Sequence, residues 1–297
     1  MVPAYLRIPL LKAAIAILLF GTVPAALSHV STDSFSLGLV RLLVPAIALT
    51  AMLAAAKQLH QVGQLTWTQW KVVITIGLLF GLHWLTYFLS IKEGSAAIGA
   101  IGFTTYGVQI PLLGWLFGFG RPSLRTFAAL GLALCGAAFC VLDSLTEVPA
   151  LSSTDQPKQL GAWIIVGVLS GTIYAALPLL HQRYAEIPNA VRTWGQFAFA
   201  LPVFLLTAPL AEWNFPVDQL WLIVYLSLVI TLAAHFLWIQ AATVLPISIT
   251  GVLAYLQLPT SLAFAWLLID EPITLSMLFG AALVIVANAM AISDRPN

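Results

Sequence analysis

Long uninterrupted apolar runs fill most of this chain of 297 residues. Ten of them reach the roughly 20 residues that an α-helix needs to cross the hydrocarbon core of a bilayer. Only 8% of the residues are charged, whereas soluble proteins carry about 25%, so lipid must solvate most of the surface. We therefore predict an all-α polytopic membrane protein with ten transmembrane helices. The ten runs lie at about residues 10–28, 35–56, 70–91, 95–118, 123–142, 160–181, 190–210, 219–241, 246–268 and 273–292.

One heptapeptide occurs twice. The first copy is Gly-Thr-Val-Pro-Ala-Ala-Leu at 21–27, and the second, half a chain later, is Gly-Thr-Ile-Tyr-Ala-Ala-Leu at 171–177. The recurrence indicates an internal duplication. The first run follows Arg7 and Lys12 and in that respect is similar to a signal peptide. The internal echo argues against a signal peptide, because cleavage would destroy one copy of the repeat.

A second spacing supports the duplication. His83 and Gly99 are 16 residues apart, and so are His235 and Gly251. Each copy contains five runs, and an odd number of crossings reverses direction, so the copies must be inverted relative to each other. Inverted repeats around a site at the membrane midplane are an architecture of transporters. The predicted organisation is a first five-helix repeat over 1–143, a periplasmic linker over 144–159 and a second five-helix repeat over 160–297.

The basic residues predict the orientation. With ten crossings, nine of the twelve Lys and Arg residues fall on the face that holds the N-terminus, and only Lys92 and Lys158 fall on the other. Such a bias marks the cytoplasmic face, so both termini are expected in the cytoplasm and the protein in a bacterial-type inner membrane. The nine are Arg7, Lys12, Lys57, Lys71, Arg121, Arg125, Arg183, Arg192 and Arg295.

The second half carries the clearest resemblance to a known family. His235 opens His-Phe-Leu-Trp-Ile-Gln-Ala-Ala-Thr-Val-Leu-Pro, followed by Tyr255 to Pro259, the turn Asp-Glu-Pro-Ile-Thr-Leu from Asp270, and Gly-Ala-Ala-Leu from Gly280. This pattern resembles the drug/metabolite transporter superfamily in its ten-helix EamA-type branch, most closely aromatic amino acid exporters of the YddG type. The first half departs from the pattern, since Gly-Arg-Pro at 120–122 replaces an acidic turn.

A transporter needs polar or ionisable side chains inside its spans, and these are few. His83 and His235 occupy equivalent positions in the two copies, so we expect them to line a cavity; the alternative is a pair of structural histidines bonded to neighbouring helices. The other candidates for substrate binding are aromatic or amide side chains. The complete set is Phe20, His83, Tyr87, Tyr106, Gln109, Tyr174, His235, Trp238, Tyr255 and Gln257.

Helical spacing assigns some of these side chains to faces. Tyr87 lies four residues after His83 and shares its face, whereas Trp84 points about 100° away, toward packing or lipid. Trp238 is three residues after His235 and shares its face. Tyr106 and Gln109 precede Pro111, and Tyr255 and Gln257 precede Pro259. A proline bends a helix, and these polar residues line a midplane site or simply satisfy one another between helices.

Three further residues have two interpretations. The resemblance implies that Phe20 and Tyr174, in the first helix of each copy, border the central cavity; packing is the alternative. Tyr174 stands where the first copy has Pro24, so we expect unlike walls: a bendable first helix and an aromatic contact at Tyr174. Arg41 resembles the basic residue usual in the family's second helix. It binds an anionic group of the substrate, or it clamps helix ends without touching substrate.

The residues that are missing narrow the function. No Asp or Glu lies deep in an apolar run, which removes the carrier that small multidrug antiporters use to exchange protons for cations. One arginine is a poor phosphate site. A pocket of Tyr, Trp, His and Gln suits an apolar, neutral or zwitterionic solute. We expect a monomeric exporter of aromatic or hydrophobic amino acids or related small metabolites, working by alternating access, as a uniporter.

Other function classes fit less well. The alternative is a broad exporter of amphipathic drugs or metabolites, coupled to protons through histidine. The net charge of +1 gives no reason to expect nucleic acid, and the expected partners are a small-molecule substrate and membrane lipid. We see no catalytic constellation or metal-ligand spacing, so we expect no enzyme activity, no cofactor and no metal.

Overall fold

The computed structural model describes residues 4–94, 96–146 and 156–293. All regular structure in these residues is helical. The predicted linker, 144–159, lies largely outside the described residues. The helices are α1 Ala4–Gly21, α2 Val23–Leu27, α3 Ser34–Ala55, α4 Leu59–Gly63, α5 Trp67–Leu89, α6 Ala96–Thr104, α7 Tyr106–Leu116, α8 Leu124–Thr146, α9 Gln156–Arg183, α10 Asn189–Ala198, α11 Ala200–Leu205, α12 Leu220–Val224, α13 His235–Val244, α14 Ile247–Ala254, α15 Gln257–Ile269 and α16 Leu275–Ile292. Ser90–Gly94 and Tyr225–Ala234 are π-helical, and Ala208–Leu210 and Val217–Gln219 are short 3₁₀ turns.

Eight stretches of the described residues are long and apolar enough to cross a membrane, which makes the chain a polytopic membrane protein. The other two predicted runs are each divided into shorter helices. Run 95–118 becomes α6 and α7, and run 190–210 becomes α10 and α11. The count of ten crossings therefore stays a prediction.

Prolines explain several of the interruptions. A proline cannot donate a hydrogen bond to the carbonyl four residues before it. Pro24, Pro202 and Pro259 leave the carbonyls of residues 20, 198 and 255 without this bond, and a helix ends within one residue of each. The break between α1 and α2 agrees with the bendable first helix that Pro24 predicts, whereas α9 runs unbroken through Tyr174.

The bundle has two ends, which we call proximal and distal. The proximal end holds both described termini, since Leu6 packs in one cluster with Leu245 and Ile292, and Arg125 donates a hydrogen bond to Ser293. The distal end holds the connections 28–33 and 206–216. These two connections are joined where the backbone N–H of Glu212 donates to Asp33 Oδ2 at 3.0 Å.

Glycines let two pairs of helices cross in backbone contact. A Cβ on Gly136 of α8 would lie 2.6 Å from the carbonyl oxygen of Gly280 in α16, and a Cβ on Gly251 of α14 would lie 2.5 Å from that of Gly107 in α7. Such small residues are the usual means of close packing between membrane helices, where lipid removes the hydrophobic driving force. The first crossing packs the last helices of the two proposed halves tightly together, and the second packs α7 against α14.

Candidate functional site

A cavity of about 490 Å³ runs into the bundle from its distal end. Near the distal end its walls include Leu27, Ser34 and Ile91, which lie close to the distal ends of α2, α3 and α5. Its deep walls include His83 and Tyr174. The volume falls within the range of about 300–1,000 Å³ that is usual for small-molecule sites.

Seven of the ten predicted site residues line this cavity. They come from separate helices, which the fold brings together around one space. The seven are Phe20, His83, Tyr87, Tyr106, Tyr174, His235 and Gln257.

Three predicted site residues do not line it. Gln109 donates a hydrogen bond from Nε2 to Thr105 Oγ1, one turn earlier, at 2.8 Å. Tyr255 is buried in a cluster with α8 and α16. Trp238 borders a separate space of about 10 Å³ that Tyr174 also lines. A role in substrate binding stays a prediction for all ten residues.

An aromatic cage forms the deep part of the cavity, and we define it as His83, Tyr87, Phe103, Tyr106 and Tyr174. Phe103 is stacked on His83, with ring centroids 4.9 Å apart, and on Tyr106, at 4.6 Å. Tyr174 lies 4.6 Å from His83 and meets Tyr106 edge to face at 5.1 Å. Tyr87 lies 5.0 Å from Phe103. The cage thus combines rings from α5, α6, α7 and α9.

Hydrogen bonds set the tautomer of His83. Ser170 Oγ of α9 donates its only hydrogen to the backbone carbonyl of His83 at 2.9 Å. The 2.8 Å contact between His83 Nδ1 and Ser170 Oγ must then be donated by Nδ1. In a neutral ring the other nitrogen, Nε2, is therefore an acceptor, and it makes no hydrogen bond to another described residue.

His235 has the same tautomer for a different reason. Its Nδ1 lies 3.2 Å from the carbonyl oxygen of Ile230, which can only accept. The spacing of five residues belongs to the π-helical segment that ends at Ala234. Phe80 contacts both histidine rings, at 6.1 Å from His83 and 5.4 Å from His235, and Phe20 meets His235 edge to face at 4.8 Å. Each histidine is therefore held by its Nδ1 and by packed rings.

Arg41 also lines the cavity, although it is only 7% exposed. Its Nε donates to Thr231 Oγ1 at 2.9 Å, and its Cζ lies 4.9 Å from the centroid of Trp84. Trp84 itself is on the cavity wall. The prediction that Trp84 points away from the cavity toward packing or lipid is therefore wrong as to the cavity, although Trp84 also packs on Phe80 and Phe88.

Sequence reasoning missed Phe103 and Ser170. Phe103 lies three residues before Tyr106, so the same helical spacing that placed the other side chains could have placed Phe103 on the face of Tyr106. Ser170 precedes Gly171 as Phe20 precedes Gly21, which places it directly before the repeated heptapeptide. Its bond to His83 joins positions 87 residues apart, and no local pattern shows such a contact.

The proximal side of the cavity is closed by a buried polar network. Arg192 of α10 donates to the carbonyl oxygens of Ile187, at 2.9 Å, and of His181, and to Thr243 Oγ1 at 3.1 Å. His181 Nε2 is 2.9 Å from Gln196 Oε1, so it must donate to this oxygen. The network ties together α9, α10 and α13 on the proximal side of the cavity.

Comparison with known proteins agrees with this architecture. A protein of the cyanobacterium Synechocystis sp., named as an uncharacterized transporter, is 28% identical over 280 residues, which are 91% of this chain and 82% of the relative. A crystal structure of another protein is similar over 95% of this chain and 96% of its own, with a TM-score of 0.81 and 19% identity, which shows a shared fold.

The family model of the EamA-like transporters matches residues 7–142 and 161–293. These two stretches cover most of the chain and contain every residue of the aromatic cage. Because the match extends this far, the chain belongs to the EamA-like transporter family and is a multi-pass membrane protein that transports small molecules.

Proposed function

We propose that this transporter exports aromatic or other hydrophobic amino acids, or related small metabolites, across the inner membrane. The observation that carries the proposal is the aromatic cage at the bottom of the cavity. Stacked and edge-to-face ring contacts each contribute about 0.5–1.5 kcal/mol beyond area burial. A solute with an aromatic side chain can make several such contacts there at once, whereas a strongly hydrated solute would lose water without compensation.

Alternating access between two inverted halves, residues 1–143 and 160–297, is the proposed mechanism. Several contacts between helices occur in matching pairs: α5 packs on α9 as α13 packs on α1, and α7 packs on α9 as α15 packs on α1. α6 packs on α8 as α14 packs on α16, and α8 pairs with α16. Exchanging the halves leaves this pattern unchanged, as expected for copies related by a twofold axis. The two stretches that match the family model lie within these halves.

The two ends of the cavity differ, and the difference supports a cavity that is open toward the distal end. The distal end is open, and the Arg192 network closes the proximal end. The excess of Lys and Arg at the proximal end assigns that end to the cytoplasm, so the cavity is in an outward-facing state. Rocking of the halves about the cage would open the proximal end and close the distal one, and a single chain contains the whole path.

Counterflow in proteoliposomes tests the proposal. Vesicles that contain the full chain and unlabelled L-phenylalanine, L-tryptophan or L-tyrosine should accumulate the labelled amino acid transiently, above vesicles without protein. His83→Ala and Tyr106→Phe, which change the cage, should lower the initial rate, whereas Lys57→Gln at the exposed proximal surface should not. Uptake equal to that of empty vesicles for all three amino acids would refute the substrate class.

Broad export of amphipathic drugs, coupled to protons, is the second candidate. It is favoured by the Nε2 atoms of His83 and His235, which make no hydrogen bond to another described residue and are able to accept a proton. An imposed pH gradient separates the two candidates. Uniport predicts counterflow that is unchanged by the gradient and inhibited only by aromatic or hydrophobic amino acids. The second candidate predicts a gradient-driven rate and inhibition by many unrelated amphipaths.

A further inference from the structure

We propose that Arg41 binds a carboxylate of the transported solute, so that the cavity selects aromatic carboxylates over aromatic amines. This inference rests on the proposed transport of aromatic solutes. It adds that these solutes must carry a carboxylate in order to bind.

Most of the hydrogen-bonding capacity of Arg41 is unused. A guanidinium group has five N–H donors. The bond from Nε to Thr231 Oγ1 is the one hydrogen bond that Arg41 makes to the described residues. The four N–H groups of the two terminal nitrogens thus have no acceptor among these residues, although the side chain is buried in the cavity wall.

The charge of Arg41 also has no counter-charge among the described residues. Arg41 makes no ion pair in the described part of the chain, and the cavity lining contains no Asp, Glu or Lys. A buried charge that lacks a counter-charge and most of its hydrogen bonds costs several kcal/mol. A carboxylate that entered from the distal end would supply both, and a guanidinium matches it with two parallel hydrogen bonds.

Arg192 is the matched comparison within the same chain. Each of the two arginines follows a valine, and they lie 151 residues apart, close to the spacing of the repeated heptapeptides. Arg192 is 2% exposed, and protein acceptors surround it: two backbone carbonyls and the Thr243 hydroxyl. The fold thus supplies hydrogen-bond acceptors for Arg192 on the proximal side. It leaves the terminal N–H groups of Arg41 in the cavity without acceptors among the described residues.

The surroundings of Arg41 suit it to a fixed binding role. Its guanidinium lies over the Trp84 ring, and stacking of this kind holds the planar group in place while its edges stay available for hydrogen bonds. The aromatic cage lines the same cavity, so one solute can place its ring in the cage and its carboxylate at Arg41. The described lining residues include no acid to pair with an ammonium group, so we expect the carboxylate rather than an amino group to determine binding.

Three ligands that share a benzyl group and differ in whether they carry a carboxylate, an amino group or both test the inference on the unmodified protein. L-phenylalanine, 3-phenylpropionate and 2-phenylethylamine are titrated into the purified full chain, and binding is measured calorimetrically. Both carboxylates should bind at least about ten-fold more tightly than the amine, the factor expected for a charge-assisted hydrogen bond. Equal or tighter binding of the amine would overturn the inference without any variant.

Variants at Arg41 supply the second measurement. Arg41→Gln should weaken both carboxylates at least about ten-fold and leave the amine unchanged, and Arg41→Lys should lie between because it keeps the charge and loses the paired donors. Lys92→Gln is the control, since Lys92 is exposed at the distal end and does not line the cavity. Unchanged carboxylate binding in the Arg41 variants would contradict the inference; if Arg41→Gln fails to fold, Arg41→Lys and the three ligands decide.

These outcomes separate this inference from the proposed function. Counterflow of L-phenylalanine with no preference for carboxylates would leave the proposed function standing and overturn the role of Arg41. Binding of 3-phenylpropionate that depends on Arg41, without counterflow of any aromatic amino acid, would support the carboxylate site and refute the proposed substrates.

Discussion

His83 and Ser170 form a reciprocal pair: His83 Nδ1 donates to Ser170 Oγ at 2.8 Å, and Ser170 Oγ donates to the backbone carbonyl of His83 at 2.9 Å. The pair joins α5 of the first proposed half to α9 of the second. It also fixes the tautomer that presents His83 Nε2 as an acceptor. One hydroxyl group thus connects the packing of the two halves with the chemistry of the cavity.

Removing that hydroxyl should affect both stability and transport. Ser170→Ala leaves Nδ1 of a buried histidine without an acceptor, so we expect the free energy of unfolding to fall by about 1–3 kcal/mol and the counterflow rate to fall several-fold. Thr172→Val is the control, because the Thr172 hydroxyl bonds only the carbonyl of Val168 in its own helix. Equal effects of the two variants would show that the pair has no special role.

Phe103 should contribute directly to binding of aromatic solutes. Phe103→Ala removes the ring that stacks on both His83 and Tyr106. We expect affinity for L-phenylalanine to fall by about 0.5–1.5 kcal/mol, and Phe103→Leu to recover only part of it. Phe139→Ala removes an aromatic contact with Phe279 away from the cavity and should leave the affinity unchanged; an equal loss there would point to a general packing effect.

Arg192 should stabilise the closed proximal end. Arg192→Gln shortens a side chain that makes four hydrogen bonds, two of them to backbone carbonyls, and we expect a loss of at least about 2 kcal/mol of stability. Amide hydrogen exchange near His181 should become faster. Arg183→Gln, at an exposed site of the same end, should change stability by less than about 0.5 kcal/mol. Slow exchange in the Arg192 variant would rule out this role.

Two glycines of α8 should respond oppositely to the same substitution. Gly136→Ala places a Cβ 2.6 Å from the carbonyl oxygen of Gly280, and we expect it to cost about 1–3 kcal/mol because the helices must separate. Nothing lies within 4 Å of a Cβ at Gly131, so Gly131→Ala should raise stability by about 0.5–1 kcal/mol. Thermal unfolding in one detergent compares them, and similar shifts would contradict the close crossing of α8 and α16.

Asp33 should make stability depend on pH. It caps α3 by accepting from the backbone N–H of Phe35, at 2.9 Å, and of Ser36, at 3.0 Å. Partial burial raises the pKa of Asp33, but hydrogen bonds from the Ser36 hydroxyl and from the N–H groups of Ser36, Glu212 and Phe35 outweigh it and hold the pKa below its ordinary value.

The charged carboxylate therefore contributes stability above the unfolded pKa of about 3.9, and this contribution is lost as the pH falls through the folded pKa. We expect Asp33→Ala to cost about 0.5–2 kcal/mol at pH 7 and less at pH 3. Thermal unfolding of both proteins at the two pH values measures this, and a difference that grows on acidification would refute the assignment.

Much of the fold could be predicted because its determinants are local. Apolar length identifies a membrane helix whatever its neighbours are, and a proline removes a hydrogen bond wherever it stands. The bend at Pro24 and the joint placement of His83, His235 and Tyr174 on one cavity both follow from such patterns and from the internal repeat. The boundaries of the halves, their inversion and the count of ten crossings remain predictions.

Which side chains share a helix face was harder to predict, because such a prediction assumes an unbroken helical period of 3.6 residues. Gln109 was expected to point with Tyr106, yet its amide bonds Thr105 of its own turn. Trp238 lines the smaller neighbouring space together with His235, as their shared face predicts, but it does not reach the main cavity that His235 also lines. His235 directly follows a π-helical segment, whose different period alters how this part of the chain meets its neighbours.

The sequence by itself determined the membrane class, the sites of bending and the aromatic, acid-poor character of the interior, because each is a property of composition or short-range spacing. Only the tertiary structure decided that Arg41 stands on the cavity wall, that Phe103 joins the cage and that Ser170 orients His83. Each of these depends on contacts between residues far apart in the chain, such as Arg41 with Thr231 and His83 with Ser170, and helix packing alone brings those residues together.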